Sequence, residues 1–410
     1  MKMNDQECIA VVDSWLARFN EAIASESNEK VDNNLVALFH GDSYWRDALA
    51  LSWCLQTVTH NESICRTLRA LTAGTDLTNL RLDVAATPPR IVRRAGTDAI
   101  EAFIQFQTNA ARCRGILRLT PDANQSETWR AWTFFTAMDE LIGFEEQINQ
   151  NRPTGESYSR DFHGPNWLDN RITASDYDSH NPDVLIVGGG HAGLSVAARL
   201  AQLGVDTLIV DKNSRVGDNW RNRYHALTLH NQLHVNHLPY MPFPPTWPTY
   251  IPKDMLAMWF ESYAALMELN FWTESEVTSA IYDSGTSRWK VDIRQAGDNF
   301  RQLEPRHVIM ATGVSGIPNL PHIETLAKFD GQVVHSSQYH DGQDWSGKNA
   351  IVLGTGNSAH DIAQDLHSSG AKVTMVQRGS SLVVNIEPSA QFPYLLYGEN
   401  RSLDECDFIT

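Results

Sequence analysis

At 410 residues the chain is too long for one ordinary domain and suits two or three. Its 42% hydrophobic and 20% charged content excludes a disordered or fibrous polypeptide. The 49 acidic residues against 33 basic, a formal charge of −16, argue against nucleic acid or an anionic membrane as the main partner.

The stretch Met1-Lys2-Met3-Asn4-Asp5-Gln6-Glu7 is polar and lacks the apolar core of a signal peptide. No run approaches the roughly 18 apolar residues needed to span a bilayer. The five cysteines, Cys8, Cys54, Cys65, Cys113 and Cys406, are odd in number and irregularly spaced. That pattern predicts reduced, buried thiols in a cytoplasmic chain, and no metal site is expected.

Taken in chain order, the first predicted element is an amphipathic helix over 10–24, with Val11, Val12, Trp15, Leu16 and Phe19 on one face. Strands are predicted near 114–120 and 128–138, separated by the polar turn Thr120-Pro121-Asp122-Ala123-Asn124-Gln125. Residues 1–150 therefore read as an α+β domain that folds independently around its own aromatic core. Turn formers dominate 151–182, which reads as a linker draped over a surface through Phe162 and Trp167.

From Asp183 the pattern turns α/β. Val184-Leu185-Ile186-Val187 suits a parallel strand buried on both faces, and it leads into the G-x-G-x-x-G loop Gly188 to Gly193. A helix over 194–203 and the strand Thr207–Val210 follow, ending on Asp211, 18 residues after Gly193. Gly188 makes the turn, Gly190 admits a pyrophosphate, Gly193 permits helix–strand packing, and Asp211 can accept a ribose diol. His191 reads as a loop residue.

A second unit follows. Ala350–Leu353 runs into Gly354-Thr355-Gly356-Asn357-Ser358-Ala359, a G-x-G-x-x-A loop, then a helix over 359–366 and the strand Val373–Val376. Gly354, Gly356, Ser358 and Ala359 are the loop's candidate cofactor-binding residues. The position matching Asp211 is Gln377, and Arg378 comes next. A guanidinium there would bind a 2′-phosphate that a carboxylate would repel, which favours NADPH over NADH. Two units suggest two cofactors, FAD in the first and NADPH in the second. Many disulfide reductases share this plan, but they need a redox cysteine pair, and residues 114–405 contain no cysteine.

Between the units, Phe329, Gly331, His335 and Tyr339 fill every fixed position of F-x-G-x-x-x-H-x-x-x-Y. Together with Ala311-Thr312-Gly313 and Gly217-Asp218-Asn219-Trp220, this makes residues 180–410 resemble the flavin-containing monooxygenases. Leu227 to Tyr263 is most similar to the plant auxin-forming type. The resemblance implies that Trp220 lies on the FAD side and that His335 shapes the junction between cofactor domains. Tyr339 stands where the Baeyer–Villiger relatives usually carry Trp, which makes ester-forming chemistry the less expected branch. His230 aligns where animal-type members place an oxygen-activating Asn, with Asn231 adjacent. His230, Asn231 and His335 are thus the catalytic candidates.

Residues 1–150 resemble the NTF2-like or SnoaL-like α+β cones, through Phe39-His40-Gly41-Asp42-Ser43-Tyr44-Trp45-Arg46-Asp47 and the late aromatic strands. His40, Asp42 and Asp47 could form a polar pocket there, with exposed turn residues the more ordinary explanation. A homodimer is one expectation of such a domain.

The expected fold is α/β, with two Rossmann-type units preceded by the cone-like domain: 1–150, a linker 151–182, an FAD-binding segment 183–345 and an NADP-binding segment 346–410. The expected function is an NADPH-dependent, FAD-containing monooxygenase, in which one atom of O2 passes to a small-molecule substrate, a nitrogen or sulfur nucleophile or an α-keto acid. The alternatives are an NADPH oxidase or FAD–NADP oxidoreductase that oxygenates nothing, and a non-catalytic binding protein. The second unit shows two clear strands where a mononucleotide-binding half needs three, so a truncated enzyme that holds its cofactors poorly is also expected.

Overall fold

The computed structural model describes residues 3–25, 33–122, 128–154 and 162–410. It divides into two compact units, Met1–Glu146 with Arg401–Thr410, and Gln147–Asn400. The first boundary falls just before 150, and the last ten residues leave the expected NADP-binding segment 346–410 for the first unit.

In the first unit, α1 (Asp5–Ala24) begins with a reciprocal cap: Asn4 Oδ1 accepts from the Glu7 amide at 3.0 Å, and Glu7 Oε2 accepts from the Asn4 amide at 2.8 Å. The short α2 (Asn33–Val36) and then β1 (Phe39–Ala48), β2 (Leu55–Thr59), α3 (Asn61–Thr72), β3 (Thr78–Leu82), β4 (Arg90–Arg94), β5 (Thr97–Gln107), β6 (Ala111–Pro121) and β7 (Trp129–Leu141) complete the main body. Strand order is β2-β1-β7-β6-β5-β3, with β4 also on β5. The predicted 114–120 and 128–138 strands pair antiparallel as β6 and β7. Residues 123–125 of their predicted turn lie outside the described residues.

Alternation along the strands gives the sheet two different faces. One buries Trp15 and Phe19 of α1 against Phe39 and Phe134, and the Trp15 Nε1 donates to the Leu38 carbonyl at 2.9 Å. The other carries Glu101, Arg118 and Phe135, and α9 (Leu403–Ile409) docks there. Phe408 packs on Phe135 with ring centroids 5.2 Å apart, and the Arg114 guanidinium lies 4.2 Å above the Phe408 ring. Fully buried Glu101 accepts from Arg94 at 2.9 Å, Arg118 at 2.8 Å and Arg401 at 2.6 Å. This network is why the C-terminal residues belong here. Burial alone would raise the Glu101 pKa, but the Arg94 and Arg118 guanidiniums outweigh it and hold the carboxyl below its usual range.

His40, Asp42 and Asp47 share no pocket. Asp42 is exposed, whereas Asp47 is buried and accepts from the Ser52 amide at 2.8 Å, its hydroxyl at 2.6 Å and Thr136 Oγ1 at 2.6 Å. His40 instead meets the Thr120 hydroxyl at 2.8 Å. Asp47 is a loop-fixing residue.

In the second unit, α4 (Trp167–Asp176) occupies part of the expected linker. Tyr177 closes that helix in a left-handed conformation, and its hydroxyl donates to Asp206 at 2.7 Å. Trp167 Nε1 donates to Glu268 at 2.9 Å, and Phe162 is 83% exposed. Residues 155–161 of that stretch lie outside the described residues.

Then follow β8 (Val184–Val187), α5 (His191–Gln202), β9 (Thr207–Val210), α6 (Asp218–Arg221), α7 (Lys253–Leu266) and β10 (Asn270–Trp272). An antiparallel trio, β11 (Glu276–Asp283), β12 (Arg288–Gln295) and β13 (Asn299–Leu303), precedes β14 (His307–Met310). The parallel sheet runs β10-β9-β8-β14. A separate parallel pair, β15 (Asn349–Leu353) and β16 (Lys372–Val376), flanks α8 (Asn357–Ser368). The apolar run Leu382-Val383-Val384 joins no strand and is exposed. Among the described residues no helix is long and apolar enough to cross a membrane.

Glu101→Gln keeps the shape and removes the charge facing three guanidiniums, so it should cost about 3–5 kcal/mol at neutral pH. Because the folded-state pKa is depressed, the wild type's advantage is full above the ordinary Glu value of about 4.3. It should be lost as pH falls through the lower folded-state value, where protonated Glu101 mimics Gln. Thermal melts of both proteins across acid pH measure this.

Candidate functional site

The two glycine loops leave their sheets in the same way. The Gly188 amide donates to the Val210 carbonyl at 2.9 Å, and the Gly354 amide donates to the Val376 carbonyl at 2.8 Å. Each loop therefore opens beside the end of the following strand, where Asp211 and Gln377-Arg378 respectively emerge.

In the first loop the three fingerprint glycines answer different constraints. Gly188 has φ +109°, and a Cβ there would sit 2.4 Å from the Ala311 carbonyl oxygen. A Cβ on Gly193 would sit 2.0 Å from the Gly188 oxygen, so close packing of helix on loop requires its absence. At Gly190 a Cβ would meet only Asn219 Nδ2, at 3.4 Å. Gly190 is also the cap of α5, and no side chain satisfies the first N–H groups of that helix. An open backbone cradle beside unpaired helical N–H groups suits a pyrophosphate.

Asp211 Oδ2 accepts from the Gly189 amide at 2.8 Å, and Oδ1 accepts from the Asn213 amide and side chain, each at 2.9 Å. A carboxylate offers about four acceptor positions. One therefore stays available to a ribose hydroxyl.

Trp220, on α6, has its Nε1 buried without a hydrogen-bond partner among the described residues. An orphaned indole donor of this kind is a place for a ligand acceptor. His191 packs edge-on to Trp220 at 6.1 Å and to Phe260 at 4.6 Å, and burial pushes its pKa down. His191 is a neutral wall of the loop.

The second loop is more open: neither Gly354 nor Gly356 would bring a Cβ within 4 Å of another group. Gly356 caps α8 without any side-chain bond. Ala359 takes the third loop position, and Arg378 is exposed two residues beyond β16. Ser358 turns its hydroxyl to Tyr224.

The catalytic candidates separate sharply. His230 Nε2 lies 3.1 Å from Asp361 Oδ1 on α8, and Tyr224 donates to the other oxygen, Oδ2, at 2.6 Å. One turn later Asp365 Oδ2 accepts from Tyr339, the last residue of the fingerprint, at 2.6 Å. Burial and then the facing carboxylates raise both phenol pKa values, so both tyrosines stay protonated donors. The His230 carbonyl accepts from Gln391 Nε2 at 3.1 Å. Asn231 is exposed and makes no hydrogen bond among the described residues. His335 uses Nδ1 to accept from the Ser337 amide at 3.2 Å, which caps a 3-10 turn.

Asp361, Asp365, Tyr224 and Gln391 were not singled out by sequence reasoning. The one available signal was two acids four residues apart on the amphipathic helix that follows the second loop.

Gly193→Ala should destabilise this unit by about 1–3 kcal/mol through overpacking. Gly190→Val should abolish FAD retention and melt near the temperature of flavin-free wild type. Thermal melts with bound-flavin measurement distinguish the two. Equal effects of both changes on stability would contradict the separate roles given to these glycines.

Residues 185–392, just over half of the chain, match the family described as pyridine nucleotide-disulphide oxidoreductase. Indole-3-pyruvate monooxygenase YUCCA1 of Oryza sativa subsp. japonica is 32% identical over 232 residues, covering 56% of this chain and 55% of the relative. Probable indole-3-pyruvate monooxygenase YUCCA3 of Arabidopsis thaliana is 35% identical over 201 residues, 48% of this chain and 46% of the relative. The chain thus spans about half the length of the curated relatives it matches. A flavin-containing monooxygenase from Stenotrophomonas maltophilia aligns with a TM-score of 0.47 at 24% identity, over 53% of this chain and 63% of that one. The matched segment takes in both glycine loops, Trp220 and the Asp361–His230 contact, and through it the chain belongs to the pyridine nucleotide-disulphide oxidoreductase family.

Proposed function

We propose that the chain is an NADPH-dependent, FAD-containing monooxygenase of the cytoplasm, passing one atom of dioxygen to a small organic substrate. The observation that carries this is the pairing of two differently finished glycine loops in a unit, Gln147–Asn400, that contains no cysteine. A dithiol route from flavin to substrate has no thiol to use within that unit. The names of the curated relatives favour an α-keto acid as substrate.

The residues divide the work. Gly188 to Gly193, Asp211 and Trp220 would hold FAD, through the open cradle at Gly190, the free acceptor position of Asp211 and the unsatisfied indole N–H. Gly354, Gly356, Ser358 and Ala359 would hold the pyrophosphate of NADPH, and Arg378 its 2′-phosphate. The bound cofactors supply the redox and oxygen chemistry. His230, held by Asp361 through its ring and by Gln391 through its backbone carbonyl, is the candidate for proton handling, while Asn231 and His335 take no part in that contact.

The decisive experiment is a visible spectrum of the purified chain before and after anaerobic NADPH, followed by product analysis in air. Flavin bleaching and an oxygenated α-keto acid product are expected. Stoichiometric peroxide without product would identify an oxidase, and a chain without flavin would identify a binding protein.

Arg378→Ala should weaken NADPH binding by the roughly 1.5–3 kcal/mol of a charge-assisted contact and leave NADH nearly unchanged. Titrating both nucleotides into the two proteins checks this, and equal losses would remove Arg378 from the site.

A further inference from the structure

His230 makes one ring contact among the described residues, from Nε2 to Asp361 Oδ1 at 3.1 Å. Its side chain is 30% exposed, and Nδ1 has no hydrogen-bond partner among the described residues. The backbone is held by Gln391, which is buried. Asp361 is held in turn, because the Tyr224 hydroxyl occupies its second oxygen at 2.6 Å. A histidine, a carboxylate that accepts from one ring nitrogen, and a third group that fixes the carboxylate form the orienting arrangement that makes imidazole a directed base.

We propose that Asp361 is a positioning residue: it holds the proton of neutral His230 on Nε2 and thereby presents Nδ1 as a hydrogen-bond acceptor for an O–H or N–H of the substrate. This rests on the monooxygenase reading for its substrate but not for its geometry. In the proton step, a substrate O–H or N–H bond breaks and its electron pair stays on the oxygen or nitrogen. An N–H bond forms at Nδ1, and the resulting imidazolium is balanced by the Asp361 carboxylate, which takes up no proton. Tyr224 does not compete for that proton, since its phenol remains protonated while it donates to Asp361. Because Asp361 lies on the helix that begins at the second glycine loop, one element carries both the proposed nucleotide site and the support of the base.

The test uses the full chain labelled with 15N-histidine. Long-range proton–nitrogen spectra report which imidazole nitrogen carries hydrogen, and the signal that disappears in His230→Gln assigns the residue. In mildly alkaline buffer the wild type should show Nε2 protonated and Nδ1 bare. Asp361→Asn, whose amide can donate to Nε2, should move the proton to Nδ1. A wild-type ring with its proton on Nδ1, or on both nitrogens, would overturn the proposal even if the variant failed to fold. So would an unchanged pattern in a folded Asp361→Asn protein.

With FAD and NADPH supplied, Asp361→Asn should lower product formation about 10²-fold, the lower end of general base catalysis. Tyr224→Phe should keep the tautomer with a smaller loss. The predicted tautomers with unchanged product formation would refute the proton-accepting role. A chain that binds no flavin would refute the monooxygenase reading, and the tautomer result would still decide the positioning role of Asp361.

Discussion

The second dinucleotide segment depends on two carboxylates one turn apart on α8. Its sheet is a single pair of parallel strands, β15 and β16, too small a structure to be stable on its own hydrogen bonds. It is attached by a small core in which Ile362 and Leu366 of α8 meet Tyr224, Tyr339, Ala350 and Ala371. Asp361 and Asp365 reach the tyrosine hydroxyls bordering that core, at 2.6 Å each. Hydrogen bonds to charged groups contribute about 1.5–3 kcal/mol each. A buried phenol also needs an acceptor, so the two requirements are met together. The fingerprint tyrosine, Tyr339, acts here as an anchor.

The two glycine loops have different characters. The first is enclosed: Ala311, Phe271 and its own Gly188 carbonyl all lie within 2.4 Å of where a Cβ would be. Its shape is imposed by neighbours and leaves one opening, at Gly190. The second has open space around both glycines. A rigid cradle suits a cofactor that stays, and an open one suits a nucleotide that enters and leaves, as the proposed reaction needs.

The first unit is ordered around another buried acid. Glu101 faces three guanidiniums on the sheet face opposite the aromatic core, and one of them, Arg401, arrives from near the other end of the chain. An unpaired buried carboxylate would be too costly to keep, so Arg401 and the helix that follows it are bound into this unit. All five cysteines lie in the same unit as free thiols, four of them buried as expected and Cys54 exposed, which leaves the second unit free of thiols.

The local grammar was legible in the sequence. Val184–Val187, the loop from Gly188, the helix and Thr207–Val210 lie where the pattern put them, as do β15, α8 and β16 to within two or three residues at each end. Apolar runs, glycine spacing and helix periodicity act between chain neighbours, so they can be read along the chain. The helix α4 escaped notice because Trp167–Asp176 shows no apolar stripe and is held by docking through Tyr177 and Trp272. Residues beyond the glycine motifs were harder still. Asp361 meets His230 and Tyr224 across 131 and 137 positions of chain, and Glu101 meets Arg401 across 300. Sequence alone determined that this chain carries two dinucleotide loops with unlike ends and no dithiol beside them. Only the tertiary structure decided which acid supports which base and which unit keeps the C-terminal helix, because a buried charge finds its partner through folding, whatever their separation along the chain.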